Sequence, residues 1–108
     1  MSAITTHVLD TSRGLPAAGI RVTLEVRFPD GAWKLLGKGV TDADGRGRGL
    51  LPEETALTKG VYRLTFDNLP GDGLYPEIAI AFHVRDTARH YHIPLLLSLY
   101  GYTTYRGS

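Results

Sequence analysis

Apolar and polar residues alternate with a period of two over most of this chain. From residue 20 to 28, Ile20, Val22, Leu24, Val26 and Phe28 fall on one side and Arg21, Thr23, Glu25 and Arg27 on the other. That pattern predicts a strand with one buried and one wet face. Asp30-Gly31 follows as a hairpin signal. The run 33–40 predicts a second, weaker strand, and its two glycines, Gly37 and Gly39, suggest a bulge or a close approach. Alternation returns in 61–66, with Tyr62, Leu64 and Phe66 opposite Val61, Arg63 and Thr65, and in 78–84, with Ile78, Ile80, Phe82 and Val84 on one face.

The ends of the chain behave alike. Ile4, Thr6 and Val8 share a face near the start, and Tyr91, Ile93, Leu95 and Leu97 share one near the end. A last strand runs through 102–105. One short helix is predicted over 52–60: Pro52 suits a first helical position, Glu53 and Glu54 suit the positive end of the helix dipole, and Lys59-Gly60 suits a stop. Many short strands separated by closely spaced turns predict an all-β sandwich. With 108 residues and no repeat or long linker, residues 1–108 read as a single domain.

Composition narrows the function classes. A net charge of +1 gives no electrostatic case for nucleic acid or an anionic membrane surface. The absence of cysteine removes disulfides, zinc–thiolate sites and cysteine nucleophiles. No apolar run is long enough to span a bilayer, and the opening residues lack the basic and apolar regions of a secretory signal. The default expectation is a cytoplasmic protein.

Four histidines are the main candidates for chemistry. His7 lies opposite the Ile4–Thr6–Val8 face, and His83 lies opposite the Ile78–Val84 stripe. His90 and His92 share the polar face of their strand, about 6.5 Å apart along it. Two histidines can share a metal, but a catalytic zinc normally takes a third protein ligand; His7 could supply it, yet nothing in the sequence places it there. No metal is expected. The segment 42–53 nearly fits a calcium loop, with Asp42, Asp44, Gly47 and Glu53 in register. Arg46 occupies a ligand position there, and a strand precedes the loop where a helix is needed. Asp42 to Gly45 is better read as a tight turn whose carboxylates bond local amides, with Arg46 projecting just beyond it. The serines lack the strained setting of a hydrolase elbow, and the glycines of 45–49 lack the lysine and helix of a phosphate loop. The residues alone lead to a small sandwich with histidines at both ends of the chain and an arginine after a turn. They do not name a reaction.

Three stretches carry a resemblance. "HYHIPLLLSLYGYTTYRGS" resembles the C-terminal signature of 5-hydroxyisourate hydrolases, the transthyretin-like proteins of purine breakdown. "ITTHVLDTSRGLPAAGIRVTL" resembles their N-terminal signature and "TDADGRGRGLL" their central one. The order is that of the family, and the terminal "YRGS" is the most specific part. The resemblance implies a transthyretin-like sandwich of seven or eight strands with one short helix, assembled as a homotetramer that is a dimer of dimers. It implies hydrolysis of 5-hydroxyisourate to 2-oxo-4-hydroxy-4-carboxy-5-ureidoimidazoline, by water attacking C6 and breaking the N1–C6 bond, with no cofactor. By motif, the catalytic groups fall on His7, Arg46, His92 and Ser108. Substrate binding falls on His7, Arg46, Tyr105, Arg106, Gly107 and Ser108. Either histidine could be the base, the other orienting substrate. Ser108 would offer its hydroxyl or a terminal carboxylate.

Two departures stand out. Leu99 replaces the proline usual in the family, which predicts a looser hairpin before the last strand. The connection 67–77 is also shorter than usual, which predicts an altered edge loop. Two competing readings remain: a non-catalytic transthyretin-like carrier using the channel that the resemblance implies where dimers meet, and a structural or interaction sandwich that would be monomeric.

Overall fold

The computed structural model describes residues 3–108. Among these residues, nine strands form two sheets. They are β1 (Ile4–Asp10), β2 (Leu15–Pro16), β3 (Arg21–Arg27), β4 (Trp33–Val40), β5 (Arg46–Gly47), β6 (Gly60–Asp67), β7 (Ile78–Val84), β8 (Tyr91–Leu97) and β9 (Tyr102–Thr104). One sheet has the order β2-β1-β8-β9, with β5 also pairing with β1; the other is β4-β3-β6-β7. The sandwich expected from the alternation is present. Two strands of the nine, β2 and β5, are only two residues long, which takes the count past the seven or eight that the resemblance implies.

The two inner faces supply the core. Ile4, Val8, Leu95 and Leu97 come from the first sheet; Val22, Leu24, Tyr62, Leu64, Phe66, Ile78 and Val84 come from the second. Parity therefore decides orientation. In β1 burial alternates strictly from Ile4 to Asp10, so Thr5, His7 and Leu9 face away from the core.

The predicted helix at 52–60 is absent. Thr55 N–H donates to the Pro52 carbonyl, closing one turn. Beyond it, the buried Tyr62 hydroxyl intervenes: it accepts from Thr58 N–H at 3.1 Å and donates to the Thr58 carbonyl at 2.8 Å. Those backbone groups are then unavailable to a helical ladder. A single tertiary hydroxyl outweighs the weak local preference of a nine-residue segment.

Both features anticipated for β4, a bulge and a close approach, are present. Leu24 pairs with Gly37 and Glu25 with Leu35, so Leu36 is the extra residue of a bulge. A Cβ on Gly37 would lie 1.8 Å from the Leu50 carbonyl oxygen, so the segment 48–52 crosses the sheet there at backbone contact. The two departures noted in the sequence meet each other. The turn before β9 is closed by Ser98 N–H donating to Gly101 O at 2.9 Å, and the Leu99 carbonyl accepts from Leu74 N–H of the short connection at 2.7 Å. These bonds tie the turn that carries Leu99 to itself and to the short connection.

Candidate active site

The first sheet brings distant segments together around β1. β1 and β8 pair in parallel, with Thr5 opposite His92 and His7 opposite Pro94. On its other edge β1 pairs antiparallel with β5, with His7 opposite Arg46. Neighbouring strands lie about 4.8 Å apart, so residues from both ends of the chain and from its middle share one outward face. The C-terminal segment then returns to β8, where Gly107 pairs with His92 and its N–H donates to the His92 carbonyl at 2.8 Å.

A cavity of about 190 Å³ opens on this face, lined by Thr5, Thr6, Arg46, Arg48, His90, His92 and Ser108. Three of the four expected catalytic residues, Arg46, His92 and Ser108, are thus brought together. His7 lies beside them through its pairing with Arg46. Tyr105 is exposed and lies outside this lining. Arg106 turns back, its guanidinium 4.3 Å over the Tyr91 ring and donating to the His90 carbonyl at 3.3 Å. Gly107 packs closely against the His92 ring. A larger groove of about 460 Å³ adjoins the cavity, sharing Thr5 and Arg48 and running over Leu51, Pro52 and Leu57.

Each motif has a distinct local task. Asp42 closes the turn before Arg46, its Oδ1 accepting from Asp44 N–H at 2.9 Å and from Arg46 N–H at 3.0 Å. The bond from Arg46 N–H does most to hold its pKa below the ordinary value; burial opposes it, and the bond from Asp44 N–H and the charges of Arg48 and Arg46 add to the lowering. Asp10 caps the turn after β1 through Ser12 and Arg13 N–H, so the carboxylate of "THVLD" serves structure. Thr6 donates to the Ile93 carbonyl and ties β1 to β8.

Hydrogen bonding fixes which ring nitrogens are left for chemistry. His7 Nε2 lies 2.8 Å from the Asp44 carbonyl oxygen. A carbonyl only accepts, so His7 carries hydrogen on Nε2 and leaves Nδ1 open. His92 Nδ1 lies 2.8 Å from Thr5 Oγ1, which leaves Nε2 as its second nitrogen. Burial lowers the His92 pKa first, and the charges of His90, Arg46 and His7 lower it further. These surroundings favour the neutral form of His92. Thr5 and Arg48 were not singled out from sequence, and His90 was considered there only as a metal partner of His92. The two-residue spacing Arg46/Arg48 and His90/His92 was the available signal, since residues two apart in a strand share a face.

A profile described as the HIUase/Transthyretin family matches residues 4–107. The 5-hydroxyisourate hydrolase of Salmonella typhimurium is 45% identical over 111 residues, an alignment spanning 97% of this chain and 80% of that protein. Among solved structures, that of the Klebsiella pneumoniae 5-hydroxyisourate hydrolase superposes with a TM-score of 0.80 at 31% identity, covering 100% of both chains. That of sea bream transthyretin in complex with thyroxine superposes with a TM-score of 0.87 at 30% identity, covering 97% of this chain and 94% of the other.

Proposed function

The chain belongs to the HIUase/transthyretin family, and from that premise we infer that it hydrolyses 5-hydroxyisourate in the degradation of urate. The observation that carries this reading is the cavity in which Arg46, His92 and Ser108 converge beside His7. The fold is shared with transthyretin. A carrier of a small molecule has no need of a neutral, half-buried histidine next to an arginine that forms no ion pair among the described residues.

The site supplies what addition of water to a cyclic amide demands. His92 is the base: neutral near pH 7, with Nε2 free to take a proton from water. The hydroxide equivalent bonds to C6 of 5-hydroxyisourate, and the carbonyl electron pair moves to oxygen. Arg46 stabilises that oxyanion, its planar donor fork matching an oxygen-rich heterocycle. Collapse breaks the N1–C6 bond, N1 takes the proton back, and the product 2-oxo-4-hydroxy-4-carboxy-5-ureidoimidazoline carries the new carboxylate. His7 orients substrate through Nδ1. Ser108 places its hydroxyl against substrate or water, and the segment Tyr105–Gly107 holds it there. No step uses a metal or an organic cofactor.

The same reading includes a homotetramer, a dimer of dimers, of single-domain subunits acting in the cytoplasm. Supporting the assembly, Leu99, Tyr100, Tyr102 and Tyr105 are exposed on and around the edge strand β9. No helix among the described residues is long and apolar enough to cross a membrane. Purified protein added to freshly generated 5-hydroxyisourate tests the activity. Faster ultraviolet decay than the spontaneous rate is expected, and decay at the spontaneous rate overturns it. Sedimentation velocity reads the assembly: a tetramer is expected, and a monomer overturns it.

A further inference from the structure

Thr5 Oγ1 lies 2.9 Å from His90 Nε2 and 2.8 Å from His92 Nδ1. The parallel register sets Thr5 opposite His92. The two-residue step in the sequence brings His90 alongside, the ring centroids being 6.4 Å apart. One hydroxyl carries one hydrogen, so when each contact is a hydrogen bond and Thr5 donates to one ring, the other ring donates to Thr5. Two proton arrangements result. In one, His92 carries hydrogen on Nδ1 and presents a bare Nε2. In the other it presents Nε2–H and cannot accept a proton from water. Arg46 and Arg48 line the same cavity, and two guanidinium cations favour a lone pair over an N–H directed among them.

Resting on the hydrolase reading, we propose that Thr5 and His90 are positioning residues that hold His92 in its Nδ1–H tautomer and carry the proton it gains on to His90. As water oxygen bonds to the carbonyl carbon, its proton goes to His92 Nε2. Nδ1 releases its hydrogen to Thr5 Oγ1, whose own hydrogen passes to His90 Nε2. His90 already bears hydrogen on Nδ1 in this arrangement and ends as the imidazolium. His92 and Thr5 end neutral, and the positive charge on His90 balances the negative charge on the tetrahedral oxyanion. The reverse transfer returns the proton to the departing nitrogen.

The surroundings favour this direction. His92 is half-buried, and a charge on it would face His7 from β1, Arg46 and Arg48 at β5, and His90 on its own side. His90 is exposed, so water solvates its charge, although Arg106 approaches its backbone carbonyl. Handing the proton from the half-buried ring to the exposed one lowers the cost of holding it.

The experiment uses Thr5→Val, Thr5→Ser, His90→Gln and the Thr5→Val/His90→Gln double variant. First, ring ¹⁵N shifts in histidine-labelled wild type without substrate should show His92 protonated on Nδ1 and bare on Nε2 at neutral pH. Observation of the Nε2–H tautomer overturns the proposal whatever the activity. Second, kcat should fall about 10- to 100-fold in Thr5→Val and in His90→Gln, with little change in KM. The double variant should be no slower than Thr5→Val, because the two act as one unit, and Thr5→Ser should recover activity. Additive losses, or an unchanged kcat in Thr5→Val, overturn the relay alone. A wild type inert toward 5-hydroxyisourate overturns the hydrolase reading and the relay with it, while the tautomer measurement still decides the hydrogen-bond arrangement.

Discussion

The outward faces of the two sheets carry similar residues and use them differently. On the β3–β6 sheet, Arg63 donates from Nε and Nη2 to Glu25 Oε1 at 2.9 and 2.8 Å, and its guanidinium lies 4.1 Å over the Trp33 ring. Arg27 approaches the same ring at 5.9 Å. On the β1–β8 sheet, Arg46 forms no ion pair among the described residues, and His7 and His92 each commit one ring nitrogen to the protein. One face satisfies its own polar groups. The other leaves donors and acceptors open around a cavity. Open valences near a perturbed histidine mark a site, whereas the mere presence of arginine and aromatic residues does not.

The sharpest way to break this contrast is to remove Arg46. Arg46→Ala should lower kcat by about 10²–10³-fold, the usual loss when a donor to a developing oxyanion is deleted. Its melting temperature should stay near that of the wild type, because no ion pair is lost. A fall in stability with unchanged kcat would make Arg46 a structural residue like Arg63.

Gly107→Ala probes how tightly the C-terminal segment is fitted to the base. The added Cβ would sit 2.5 Å from His92 Cδ2 and 3.3 Å from Pro94 Cγ. Either the imidazole turns and strains its bond to Thr5, or the segment lifts and loses the Gly107 bond to the His92 carbonyl. Both displace the base, and a misplacement near 1 Å costs on the order of 10²-fold. Steady-state kinetics should show a drop of about 10- to 100-fold in kcat. An unchanged kcat would mean that Ser108 and His92 do not depend on this packing.

Much of this face was legible in the sequence because a strand has a period of two. Parity alone placed His7 opposite Ile4, Thr6 and Val8, and His92 opposite the Tyr91–Leu97 stripe. The turn at Asp42–Gly45 followed from its residue types. Which strands would be neighbours was not legible: pairing β1 with β8 in parallel is a long-range choice that no local pattern records. The resemblance, not the periodicity, joined His7, Arg46 and His92. The helix failed because a tyrosine hydroxyl from the next strand claimed Thr58. Thr5 escaped notice, and His90 was weighed only as half of a metal pair, because their value lies in a contact across the sheet.

The pH dependence sharpens the comparison at the scale of one proton. Burial, with help from His90, Arg46 and His7, places the His92 pKa below its ordinary 6.5. The acidic limb of kcat/KM, which reports the free enzyme, should therefore fall below pH 6.5. Stability follows the same window. Between the folded pKa and 6.5 the unfolded chain binds more protons than the native one, so stability rises with pH there. It is lost as pH falls from 6.5 through the folded value. Histidine C–H resonances followed by NMR, alongside urea midpoints, check both. A His92 titration at or above 6.5 would remove the reason for treating it as a base kept neutral by its surroundings.

The smallest effect belongs to the self-satisfied face. Arg63→Ala removes two hydrogen bonds to Glu25 and the stacking on Trp33, yet the pair is partly solvated and each contact is of modest value. Exposed ion pairs and cation–π contacts contribute about 0.2–1 kcal/mol each. A loss near 1 kcal/mol should lower the melting temperature by roughly 4–8 °C. The kinetic constants should be those of the wild type, because the core layer separates Arg63 from the cavity. A variant that melts lower and hydrolyses normally preserves the contrast. Reduced kcat with an unchanged melt would mean that the β3–β6 face is coupled to the site, and self-satisfied polar groups could then no longer be taken as a sign of a purely structural surface.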